Sequence, residues 1–275
     1  MNEELLILAK TYPQPSKQYG ELSCVAAVNR QGALRRIYPV PFRLMEGEKQ
    51  FHKWDWISAD VEPRDGKDKR PESRKIDVNS ILHLGEIGTK NAWRERRSWL
   101  EPLLAPSLDA LEEQRKSNET SLGFVRPSRI LKLEITPLPE KDQTWTSEEL
   151  AYLTTEGLFD SEEVKQRPRL EKVPFTVHYH YELETPEGTQ QHKSLVLDWE
   201  LGALWRNCRR LHGEAWEAPF RAKLEQYLPS RDLIFMMGTH HRFDHWMIIA
   251  PHYPPHPAST EQLGLFAEEP PFAEA

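Results

Sequence analysis

Histidine is the residue type whose spacing in this chain could do chemistry. In the run "PFTVHYHYELE", side chains of an extended strand alternate with period two. Thr176, His178, His180 and Glu182 therefore share one face, and Val177, Tyr179 and Tyr181 share the other. The run "GTHHRFDHW" adds His240, His241, Asp244 and His245, and His192 falls on the strand expected to pair with 175–183. Imidazoles and carboxylates of this kind can hold a metal ion or work as an acid–base pair, provided the two histidine pairs sit on neighbouring strands of one sheet. Asp198, where a strand meets a helix, reads either as a helix N-cap or as the acid of such a site. No spacing matches HExxH or another metal signature, so metal and cofactor stay unassigned, and whether the chain is an enzyme stays open.

Other chemistries have less to support them. Cys24 stands in mid-strand in "ELSCVAAV", with no glycine elbow beside it and no helix start to lower its pKa, and reads as a small buried hydrophobe. Cys208 falls on the apolar face of a helix. The two cysteines lack CxxC spacing, and both are expected to be reduced. No GxxxxGK[ST], GxGxxG or GxSxG occurs, which removes the motif-based readings of a triphosphatase, a dinucleotide enzyme and an α/β-hydrolase.

Arginines interleaved with aromatic residues form the second constellation. "RRIYPVPFR" supplies Arg35, Arg36, Tyr38, Phe42 and Arg43, and "WRERRSW" supplies Trp93, Arg94, Arg96, Arg97 and Trp99. Guanidiniums pair with phosphates while rings stack on unpaired bases, so the two runs together predict a nucleic-acid surface. Arginines that snorkel over core rings would give the same pattern. The formal net charge of −7 means that any such surface is local, with acidic residues concentrated at 146–163 and near the C-terminus.

Behind these residues stand short elements. A chain of 275 residues with 22 prolines and 9 tryptophans suits many short strands more than long helices. "LLILAKTYP" is a strand, and two β-rich runs flank Asn29-Arg30-Gln31-Gly32 as a hairpin. Strands follow over 54–63 and 129–139. A helix over 90–116 is broken near Pro102 and Pro106. Thr146 to Glu149 form a capping box. A hairpin turns at 185–188, a helix runs from about 199 to Gly213, and a closing hairpin occupies 232–255. This organisation predicts an α+β fold with a β-rich, barrel-like lobe over 1–139 carrying a helical insertion and the nucleic-acid surface. A connector follows over 140–170, then a C-terminal antiparallel sheet with helices over 171–256, then a tail over 257–275. No run approaches a membrane span, and the expected location is the cytoplasm.

The last of these segments contains "QLGLF": Gln262, Leu263, Leu265 and Phe266 around Gly264. It resembles the bacterial sliding-clamp-binding peptide, whose pattern is Gln-Leu-x-Leu-Phe. The resemblance covers five residues and implies that Leu and Phe enter an apolar pocket on the clamp while Gln hydrogen-bonds beside it. The body, with "AKTYPQPS", "RRIYPVPFR", "DWE" and "GTHHRF", resembles an uncharacterised bacterial family of unknown activity, and its N-terminal strand order is compatible with a small PUA- or OB-type barrel. Together these imply a clamp-tethered DNA-binding protein acting in DNA modification, repair or antiviral defence. Two alternatives stand beside it: an enzyme acting on a base in DNA or on a nucleotide through the histidine cluster, and a protein-interaction module.

Overall fold

The computed structural model of the chain describes residues 1–64, 68–154, 167–240 and 243–256. Strands dominate the first hundred residues: β1 (Asn2–Lys10), β2 (Gln14–Ser16), β3 (Gly20–Asn29), β4 (Leu34–Val40), β5 (Asp55–Pro63), β6 (Ser73–Ile76) and β7 (Leu82–Glu86). Five of them close a ring in the order β1-β3-β4-β6-β5 and back to β1. Every seam is antiparallel except β4 with β6. This is the strand order of an OB-like barrel. Period-two alternation sends Leu5, Ile7, Val25, Ala27, Ile37, Val40, Ile57, Ala59 and Val61 inside it. The β3–β4 turn forms as its sequence requires: Asn29 Oδ1 accepts from the amides of Gln31 and Ala33, and Gly32 takes a φ of +79°.

Two helices, α1 (Lys90–Leu100) and α2 (Leu108–Lys116), follow, separated by a segment holding Pro102 and Pro106. Then come β8 (Leu122–Val125), β9 (Arg129–Pro137), α3 (Ser147–Thr154), β10 (Phe175–Thr185), β11 (Gly188–Leu195), α4 (Trp199–His212), α5 (Glu217–Arg221), β12 (Ile234–His240) and β13 (Phe243–His252). They make two three-stranded sheets, β11-β10-β9 and β13-β12-β8. The sheets join at both edges. On one side β8 runs on into β9, and on the other Val196 pairs in parallel with Ile248 while the Leu197 amide donates to the Ile248 carbonyl at 2.8 Å. Taking β8 and β9 as one bent strand, the second half repeats the strand order of the first, including one parallel seam between its third and fifth strands. Trp205 and Cys208 of α4, with Phe220, Leu224 and Leu228, pack into its core beside Tyr179, Tyr181 and Phe235. The chain is thus an α+β protein whose N-terminal part is a closed five-stranded barrel.

Two boundaries differ from the sequence expectation. A lobe ending at 139 would claim β8 and β9, yet β8 pairs with β12 and β9 with β10, so both belong to the second half. Residues 140–170 accordingly lie between two paired strands of one unit and do not link two lobes. The halves are not loosely tethered. Leu6, Leu8, Ala26 and Val28 point out of the first barrel and are buried against Leu122, Phe124, Ile234, Met236 and Ile249 of the second. That is why "LLIL" is apolar at successive positions: both faces of β1 are covered. Each fully buried aliphatic group here stabilises the seam by about 1.5–3 kcal/mol.

Candidate nucleic-acid interface

On an OB-like barrel the ligand face is the outer surface of the second and third strands, framed by the loop after the first strand and the loop before the fifth. Here those are β3 and β4, framed by residues 11–19 and, among the described residues of the other loop, 64 and 68–72. A cavity of about 350 Å³ opens at that place. It is lined by Ser16, Gln18 and Tyr19 from the first loop, Leu22, Tyr38 and Pro39 from the strands, and Glu62, Pro63, Arg64 and Lys75 opposite. The Arg64 guanidinium lies 4.5 Å from the centre of the half-exposed Tyr38 ring. Asp68 fixes that arginine by accepting from Arg64 Nη1 at 3.0 Å, while also accepting from Arg70 Nε at 2.7 Å and Ser73 Oγ at 3.0 Å. Burial opposes ionisation of Asp68, but the Arg70 and Ser73 hydrogen bonds win and hold its carboxyl well below the usual range. A ring with a cation beside it, at the mouth of a loop-framed groove, is suited to stacking an unpaired base.

A neighbouring cavity of about 360 Å³ is lined by Met1, Asp60, Val61, Glu62, Lys75, Ile76 and Asp77. Its three carboxylates outnumber Lys75 and the Met1 ammonium, whereas Arg64 and Lys75 outnumber Glu62 in the first cavity, so charge favours phosphate at the first.

The arginines singled out by the sequence do not form one basic surface. Arg36 is 4% exposed and donates from Nη2 to the Ser121 carbonyl at 2.8 Å and to Ser121 Oγ at 3.1 Å. Arg35 is paired with Glu3 at 2.8 Å, and Arg43 with Glu21 at 2.9 Å and with the Pro168 carbonyl. Arg96 is buried between Trp54 and Trp93, donating to the Ile87 carbonyl at 2.7 Å, and Trp93 is itself buried. Arg97 pairs with Asp232 and Glu101. Arg94 is exposed. The interleaving of Arg with aromatics thus reports mainly core edges and ion pairs. Of this set Tyr38 lines the groove. Tyr19, Arg64 and Lys75 were missed; the signal for two of them was the charged run "RDGKDKRPESRK", whose position beside Tyr38 depends on ring closure.

The histidines separate. His178 and His180 lie on the open face of β10, where His180 Nε2 is 3.1 Å from Glu134 Oε2 and Lys193 donates to Glu134 Oε1 at 2.6 Å. Burial, then the Lys193 charge, lowers the His178 pKa. His192 faces the other way, its ring 5.6 Å from that of Tyr181. His240 is on β12, which belongs to a different three-stranded sheet, so the expectation of neighbouring strands fails. Its neighbour His241 and the side chain of Asp244 lie outside the described residues, as do Gln262, Leu263, Leu265 and Phe266. Among the described residues no group of three or more His, Cys, Asp or Glu is placed to hold a metal ion.

Asp198 is 3% exposed at the N-cap position of α4, and burial, then the Glu200 charge, pushes its carboxyl up to about 8. Across the seam, Lys10 lies 3.7 Å from the Phe42 ring centre and 5.2 Å from that of Trp199, and donates to the Phe51 carbonyl at 2.9 Å. Burial brings its amine down to about 8. Neither residue lines either of the two cavities, and the arrangement ties the first barrel to the start of α4.

Comparison with solved structures finds a chain of a Replication Protein A heterotrimer bound to ssDNA, at 10% identity and a TM-score of 0.22, aligned over 92% of this chain. The alignment spans 65% of that chain's length. No curated protein matches. Among the described residues, no helix is long and apolar enough to cross a membrane. Residues 1–102 match a family described as Domain of unknown function (DUF8758), which ends between the two barrels. Residues 105–270 match Domain of unknown function (DUF8757), and the chain belongs to that family.

Proposed function

We propose that this protein binds single-stranded DNA in the groove over Tyr38, and that residues 262–266 tether it to the sliding clamp. One observation carries the first part: Tyr38, flanked by Arg64 at 4.5 Å, sits where an OB-like barrel presents its ligand face, between Ser16 to Tyr19 on one side and Arg64 and Lys75 on the other. The test is fluorescence anisotropy with a labelled single-stranded oligonucleotide. Tyr38→Ala should weaken binding by about tenfold or more, since one base–ring stack contributes roughly 1–3 kcal/mol. A variant that binds as tightly as the parent would refute the groove.

The tether rests on the sequence "QLGLF". Deleting 259–275 should abolish co-purification with the clamp and leave the thermal midpoint unchanged. Retention on the clamp after deletion would refute the tether. A single-strand site coupled to a clamp peptide suits work on DNA during modification, repair or defence.

A further inference from the structure

We infer that the groove receives the end of a single strand, about one or two nucleotides long, and does not let a continuous strand pass through. The inference rests on the proposal that the groove binds nucleic acid, and adds what the second half of the chain does to it.

An uncovered barrel face engages roughly 4–16 nucleotides. Among the described residues, the outward positions at the groove end of β3 and β4 are Leu22, 9% exposed, and the half-buried Cys24 and Tyr38. Moving along the strands, the next outward residue of β4 is Arg36, already bonded to Ser121 at 2.8 Å. Glu72, 6% exposed, accepts from the Ser121 and Leu122 amides behind it. Arg70 Nη1 closes the same wall on the Thr239 carbonyl at 2.9 Å. Beyond lie Ala26 and Val28, buried against Leu122 and Phe124. A phosphodiester chain leaving Tyr38 in this direction meets buried protein, not open surface.

The sideways exit is closed by charge. Past Lys75 and Glu62 the surface becomes the neighbouring cavity, where Asp60, Glu62 and Asp77 outnumber Lys75 and the Met1 ammonium and the net negative charge disfavours phosphate. What remains is a cavity of about 350 Å³, near the lower end of small-ligand sites. A terminal nucleotide fits such a space without requiring the chain to continue on both sides.

The experiment is a competition with the full-length protein. A labelled linear oligonucleotide is displaced by unlabelled linear DNA or by the same sequence covalently closed into a circle. The circle should compete at least about tenfold more weakly than the linear strand. Competition by the circle within about twofold of the linear strand, lost in Tyr38→Ala, would overturn the end-binding inference while leaving the groove intact. Failure of the labelled linear strand to bind would instead overturn the groove, and the inference with it.

Discussion

Arg36 and Arg64 carry the same guanidinium, and their surroundings decide what each can do. Arg36 is wholly buried, and desolvation lowers its pKa. Arg36→Ala would leave the buried Ser121 carbonyl without its side-chain donor and should destabilise the fold by about 1–3 kcal/mol, read by denaturant unfolding. Arg94→Ala, at an exposed position, should leave stability unchanged. Asp198 gives a pH signature. Its carboxyl is raised by burial from 3.8 to about 8, so the stability it contributes is fully present below its unfolded value and is lost as pH rises through about 8. Asp198→Asn should therefore flatten the fall in Tm between about pH 4 and 8; an unaltered profile would show that another group sets it.

At the scale of elements, the junction of β1 with α4 is closely built. A Cβ added at Gly202 would lie 2.3 Å from Tyr12 Cε2, and the Tyr12 hydroxyl donates to the Glu171 carbonyl at 2.6 Å and accepts from Arg206 Nη1 at 2.7 Å. Gly202→Ala should cost about 1–3 kcal/mol by overpacking, measurable as a lower denaturation midpoint. Elements whose signals are local were legible in the sequence. The Asn29 to Gly32 turn, the reciprocal Thr146 and Glu149 capping bonds, and the end of α4 at Gly213 all form where the residues require. Ring closure was not legible, because β1 with β5 and Val196 with Ile248 join residues fifty or more apart, and no local pattern encodes a partner. The same reason hid the true owner of β8 and β9. It also made Arg36 read as surface, since nothing local shows which barrel face the second half covers, and it hid the ion pairs of Arg35 with Glu3 and Arg43 with Glu21. Tyr38 was legible by its type, but Arg64 beside it was not.

For the whole molecule, the net charge of −7 and the pairing of nearly every arginine near the groove predict weak electrostatics. Arg64 and Lys75 are the cations lining it, so log K should fall with log salt at a slope of about −1.4 or shallower, at roughly 0.7 per phosphate of a single strand. A slope steeper than about −3 would require a second basic surface. The two barrels share one apolar seam, so they should unfold in a single transition with the groove intact until it melts. The most direct measurement is photo-crosslinking of a single strand bearing 5-iododeoxyuridine, followed by mass spectrometry of the modified peptides. Adducts on peptides containing Tyr19 or Tyr38 are the result expected, and adducts confined to α1 or to the His178 face of β10 would contradict the groove as the binding site.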